Sequence, residues 1–167
     1  MWVEFKKMPP HSRLWVYQVN RKLTPSEGDH VEKSLLQLCE SWKAHGFALH
    51  ASYQLIYSQF IVLAVNESET GASGCSIDSS VHHLKELQQQ LGLDLFDRSQ
   101  VAFLINNEVI LYKALNLRKL FESGALKQDS LTFNNAVSSL SEFETQWKIP
   151  VDRSWLAKYL PKTTLQE

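Results

Sequence analysis

The chain has 167 residues, 44% hydrophobic and 21% charged, with a net charge of −1. A domain of that size buries roughly 70% of its unfolded surface, so neither disulfides nor a metal is needed to hold it. Near-neutral charge gives no general pull toward nucleic acid or anionic membrane. Two cysteines, Cys39 and Cys75, without a CxxC pair, fit a reducing compartment and argue against zinc. No apolar run reaches the ~18 residues of a membrane span, and residues 1–11 lack the apolar stretch of a signal peptide. The expectation is a cytoplasmic protein with no metal, no cofactor, and neither nucleic acid nor membrane as partner.

Residues 1–11 end in Pro9-Pro10 and read as an extended lead-in. Residues 13–19 are aromatic and β-branched, which predicts a strand. Thr24-Pro25-Ser26-Glu27 is a capping box with proline at the first helical position. The helix it opens carries Val31, Leu35, Leu38, Cys39 and Trp42 on one face, and Gly46 can end it. Residues 48–57 alternate: Leu49, Ala51, Tyr53, Leu55 and Tyr57 share one face, and His50, Ser52, Gln54 and Ile56 the other. Ser58-Gln59 separates them from the apolar strand 60–65. A small-residue stretch, 66–80, leads into a second helix with Ile77, Val81, Leu84, Gln88 and Leu91 on its face and Gly92 at its end. Strands 100–105 and 108–114 flank Asn106-Asn107, which suits a turn needing positive φ. Beyond them, Asn116 can cap a short helix stopped at Gly124. Residues 130–133 read as a short strand. Ser139 to Glu142 reads as a second capping box, and 152–160 as a last helical piece.

The first four strands and two helices run β-α-β-β-α-β. That order is the ferredoxin-like split βαβ plan, an α+β fold with both helices on one face of an antiparallel sheet. A C-terminal extension adds short strands and helices; the same elements in another strand order are the alternative. One domain is expected over 12–160, with 161–167 as a tail. A two-residue turn at Ser58-Gln59 sets Tyr57 opposite Phe60 and His50 opposite Glu67. His50, Arg13 and Cys75 then share one edge. A bare second face of the sheet would suit dimerisation, or cover by the C-terminal Trp147 and Trp155.

Residues 12–18, 60–65, Gly71-Ala-Ser-Gly-Cys-Ser-Ile-Asp78, Leu95-Phe-Asp-Arg98 and Phe133-Asn-Asn135 together resemble a family of small, uncharacterised bacterial proteins often labelled "ABC transporter ATPase". The resemblance runs from Ser12 to Leu160 and implies no established activity or catalytic residue. The label implies ATP hydrolysis, but the chain has no G-x-x-x-x-G-K-[ST] loop, and Gly71–Ser76 has no lysine to reach a phosphate.

The stretch 66–80 is the candidate site. A helix N-terminus after a glycine-rich turn offers unpaired N–H groups to an anion, and it favours the thiolate of a cysteine placed there. Gly71, Ser73, Gly74, Ser76 and Asp78 are the candidate ligand-binding residues; Cys75, with His50 as its partner, is the candidate catalytic pair. A structural turn accounts for the same residues: Ser76 can cap the helix, Asp78 can supply the negative charge, and Glu67 and Glu69 would repel an anion. His82 and His83 lie too far along the helix to serve Cys75. The function expected is a non-enzymatic binding or interaction module for a small ligand or protein partner, a homodimer among the options. The alternative is a small enzyme with Cys75 as nucleophile.

Overall fold

In this computed structural model, which describes residues 1–162, β1 is Arg13–Gln18 and α1 is Pro25–Ser41. A two-stranded ribbon, β2 (Lys43–Ala44) and β3 (Phe47–Ala48), leads to β4 (His50–Ile56), β5 (Phe60–Asn66) and α2 (Gly74–Leu91). Then come β6 (Gln100–Ile105), β7 (Glu108–Lys113), α3 (Leu117–Glu122), β8 (Leu131–Phe133), α4 (Leu140–Gln146) and β9 (Lys148–Pro150). The protein is α+β with antiparallel sheets, and among the described residues no helix is long and apolar enough to cross a membrane. The expected tail 161–167 lies outside the described residues from 163 on.

Where one domain over 12–160 was expected, the chain gathers into two units: Met1–Asp97 with Asn135–Gln146, and Arg98–Asn134 with the chain from Trp147 onward. The first unit holds the sheet β1-β5-β4. β5 lies between β1 and β4, antiparallel to both, which is the order the split βαβ plan requires of its first three strands. The fourth strand departs from the plan. β6 pairs with β7 and β8 in a sheet of order β7-β6-β8-β9 within the second unit. The edge of β1 that it would have taken is occupied by a later return of the chain: Leu14 N donates to Ser138 O at 2.9 Å, Arg13 bridges Ser139, and Asn135 Nδ2 donates to Gln18 Oε1 at 3.1 Å.

α1 and α2 cover one face of the first sheet, where Val31, Leu35, Leu38, Cys39, Trp42, Leu84 and Leu87 meet Ile61, Leu63 and Val65. Leu14, Phe60, Val62 and Ala64 face the other way and are buried too, so neither face is bare. In this unit the turn Phe5–Lys7 lies against β4 and α4 against β1, and Phe5 meets Phe143 edge-on. The lead-in is therefore docked, with Trp2 bridged to Ala51. Trp147 instead meets Phe133 in the second unit, with ring centroids 4.8 Å apart and planes tilted by 49°, and Trp155 is 52% exposed.

Three local readings shift. Gly46 does not end α1. With His45 it forms the positive-φ turn of the β2–β3 ribbon, and α1 stops at Ser41. The β4–β5 register is one residue off the expected one, with Ile56 opposite Phe60 and His50 opposite Asn66. The cause is a three-residue loop in which Tyr57 and Ser58 both take positive φ and Gln59 N donates to Ile56 O. The buried face of α2 is Ser76, Ser80, Leu84 and Leu87, with Ile77 and Val81 on the flank. The two serines turn their hydroxyls back onto carbonyls of their own chain, Ser73 O and Ile77 O, and present a small surface to the helix interface. Asn106-Asn107 turns with positive φ, as expected.

Trp42 fits the α2 surface. Its Nε1 donates to Ser76 O at 2.7 Å, and its ring lies 6.0 Å from that of Trp15. Trp42→Ala is expected to cost about 3–5 kcal/mol in urea unfolding, as for other large core truncations; a loss under about 1 kcal/mol would show that the ring does not wedge the helix to the sheet.

The capping box of α1 is complete and carries an ion pair. Glu27 N donates to Thr24 Oγ1, Thr24 N donates to Glu27 Oε2, and Arg21 grips both carboxylate oxygens at 2.8 and 2.9 Å. The Arg21 guanidinium first, then the Thr24 N–H, pulls the Glu27 carboxyl down from 4.5 to about 2. The folded value lies below the unfolded one, so this contribution to stability is present above the unfolded value and is lost as pH falls toward the folded one. Glu27→Gln should flatten the fall in stability across that window. Equal acid slopes in the two proteins would mean that the pair does not form.

Candidate functional site

The turn from β5 to α2 is built by its own side chains. Asn66 Oδ1 accepts from Ser68 N at 3.0 Å and from Ser68 Oγ at 2.7 Å, an Asx turn at the strand end. Ser68 Oγ in turn lies 2.8 Å from His11 Nε2. Glu67 folds back over the loop: its Oε1 accepts from Ala72 N at 2.9 Å and lies 3.7 Å from Arg13 Nη1. The Arg13 guanidinium also lies over the Trp15 ring, 5.0 Å from its centroid. A carboxylate of the protein itself thus takes the loop donor and the nearby cation.

Ser73, not Ser76, is the N-cap of α2. Its Oγ accepts from Ser76 N at 3.2 Å and its carbonyl from Ile77 N at 3.0 Å. Ser76 is buried beneath Trp42 and turned away from any ligand. A Cβ on Gly71 would stand 3.7 Å from Glu67 Oε1, so Gly71 faces the internal carboxylate. Asp78 lies beyond the first turn, exposed, and does not supply its charge there. Gly74 and Cys75 remain. Their N–H groups have no hydrogen-bond partner among the described residues, and nothing lies within 4 Å of where a Cβ on Gly74 would stand.

The candidate catalytic pair is not joined. Cys75 is exposed and has no hydrogen-bond partner among the described residues. His50 Nε2 faces Glu69 Oε2 at 4.0 Å. His82 pairs with Glu86 at 3.2 Å, and His83 sits 2.8 Å from Ser34 Oγ between α2 and α1. Among the described residues no group of three or more His, Cys, Asp or Glu is arranged to hold a metal ion. The sequence reading missed the folding back of Glu67 and the place of His11. The signal for the first was available: a glutamate five residues before Ala72, in a turn of small residues, can reach the loop's own N–H.

What the arrangement offers chemically is two free N–H donors beside open space, with a thiol that has no base. Comparison with known protein families, curated proteins and solved structures finds no match to this chain.

The two thiols differ sharply. Cys39 is fully buried among the α1 core residues, and burial pushes it up to about 12. Alkylation of the native protein at neutral pH should therefore label one thiol, Cys75, and unfolding should reveal the second. Two native equivalents would contradict the packing of α1.

Proposed function

We propose that this chain is a non-enzymatic binding or interaction module, with a small-ligand site at the start of α2. The observation that carries the reading is the free pair of N–H groups at Gly74 and Cys75 beside a cysteine with no base. Unpartnered donors at a helix start favour a small anionic or strongly polar group. A nucleophilic cysteine needs a base or cation within hydrogen-bond reach, and His50, His82 and His83 are engaged elsewhere. Internal satisfaction of Glu67 and Arg13 leaves those groups out of ligand binding, so the affinity expected is weak, in the millimolar range of a two-donor contact.

The first unit reads as a ferredoxin-like split βαβ in which residues 135–141 stand in for the fourth strand. The same proposal takes the chain as a cytoplasmic relative of the bacterial family its segments resemble, without ATPase activity, since Gly71–Ser76 has neither the length nor the lysine of a phosphate loop. The exposure of Cys75 at a helix start favours the second reading, a small enzyme using that thiol.

The test is a titration of ¹⁵N-labelled protein with inorganic phosphate. Saturating shifts are expected at the Gly74 and Cys75 amides. Gly74→Pro, which removes one donor at a position where proline is tolerated, should weaken binding several-fold, read at the remaining Cys75 amide, without unfolding the protein. Unmoved amides at both positions would end the ligand reading. Loss of Cys75 alkylation rate in His50→Ala would instead support the enzyme.

A further inference from the structure

We propose that the outer edge of β4, at Tyr53 and Leu55, is where a second copy of this chain adds its own β4, antiparallel, to make a continuous six-stranded sheet.

The direction of the edge is fixed by the lead-in. Ala51 N donates to Met1 O at 3.0 Å and Ala51 O accepts from Val3 N at 2.8 Å, so the backbone groups of Ala51 point away from β5. Alternation sends those of Tyr53 and Leu55 the same way. Neither residue has a partner on that side among the described residues. The lead-in leaves the edge after Val3, where Lys7 N closes a turn onto Glu4 O, and β4 ends at Ile56, before Tyr57 turns the chain with φ 55°. A two-residue window of paired donors and acceptors is left open.

Sheet edges are ordinarily blunted by charge, proline or a bulge, or covered. The opposite edge of this sheet, β1, is covered by residues 135–141. The run His50–Ile56 has no lysine, arginine, aspartate, glutamate or proline, and its register with β5 is unbroken. On the helix side Gly28 lies above Leu55, with no side chain to obstruct an approaching strand.

The window is self-complementary, which selects a second copy over a charged peptide. A two-fold axis at Gln54 sets Tyr53 opposite Leu55 of the second copy and Leu55 opposite its Tyr53, giving four backbone hydrogen bonds. Each Tyr–Leu pair joins an aromatic and an aliphatic side chain already half-buried against the core. Gln54 falls on the axis opposite itself. Its amide has no partner among the described residues and carries both donor and acceptor, so two copies can satisfy each other. Symmetric pairing brings identical residues together, and a strand without fixed charge does so without repulsion.

Sedimentation velocity tests this on the whole chain. The expected result is a mass that rises with concentration from 19.2 kDa toward twice that value. Gln54→Glu sets two carboxylates against each other on the axis and should weaken association at least tenfold, with an unchanged urea midpoint at a dilution where both proteins are monomeric showing that the fold is kept. The register has its own test in a Cys75→Ser background. Residues at 54 form a non-hydrogen-bonded pair with Cα atoms about 4.5 Å apart, within disulfide reach, so Gln54→Cys should oxidise to a covalent dimer. Ile56→Cys, opposite Ser52 of the second copy, should not. A monomer at every concentration, a dimer indifferent to Gln54→Glu, or failure of Gln54→Cys to cross-link overturns the proposal. The phosphate titration reads other residues, so the two ideas fail separately.

Discussion

Burial of β5 on both faces is the constraint from which the first unit follows. All six residues from Phe60 to Val65 are fully buried, and both strand edges are hydrogen-bonded, to β1 and β4. Each large apolar side chain so placed contributes up to about 1.5–3 kcal/mol, which together is comparable to the whole net stability of a domain. A central strand with apolar side chains of both parities needs cover on both faces. α1 and α2 supply one side. The docked lead-in and α4 lie against the strands that flank β5, and for that reason neither residues 1–11 nor 135–146 can be mere connections. The turn after Asn66 starts from this fixed strand end and is then closed by its own hydrogen bonds, from Asn66 to Ser68 and from Glu67 to Ala72.

The parts legible in the sequence were those whose determinants are local. The capping box at Thr24 and Glu27, the αL pair Asn106-Asn107, the αL cap at Gly92 and the Val31/Leu35/Leu38 face of α1 each depend on a few neighbouring residues, and each is found as read. Misreadings arose where a distant partner decided. Ser76 and Ser80 read as polar and placed the α2 face one residue away, because the partner that meets Ser76, Trp42, lies 34 positions upstream. The register of β4 slipped because Tyr57 and Ser58 take a conformation usual for glycine or asparagine. The fourth strand was assigned to β1 because nothing local marks Asn135–Ser139 as the segment that returns to that edge.

The candidate site shows the same division. Its position, between an apolar strand and a periodic helix, was plain. Its contents were not, because a turn rich in serine, glycine and glutamate can aim its polar groups outward at a ligand or inward at itself. Here most point inward. Asn66, Glu67, Ser68, Ser73 and Ser76 satisfy one another or the backbone, and the expected pairing of His50 with Cys75 gives way to His50 with Glu69. Internal bonds of this kind hold the two remaining N–H groups in a defined direction, which lowers the ordering cost of any ligand they take.

Net charge conceals a division along the chain. The net −1 of the whole chain is the sum of two unlike units. The first holds 8 Lys/Arg against 13 Asp/Glu, and the second 9 against 5. Described ion pairs fall in the first unit, among them Arg13–Glu67, Arg21–Glu27 and His82–Glu86. In the second, Arg118, Lys119, Lys127 and Arg153 have no described ionic partner, and Lys158 lies over the rings of Trp155 and Tyr159 at 5.3 and 5.2 Å. Potentials at a surface are set over a Debye length of about 8–10 Å, not over a chain. The neutrality argument therefore describes the chain as a whole, while the sign of the charge differs between its two units.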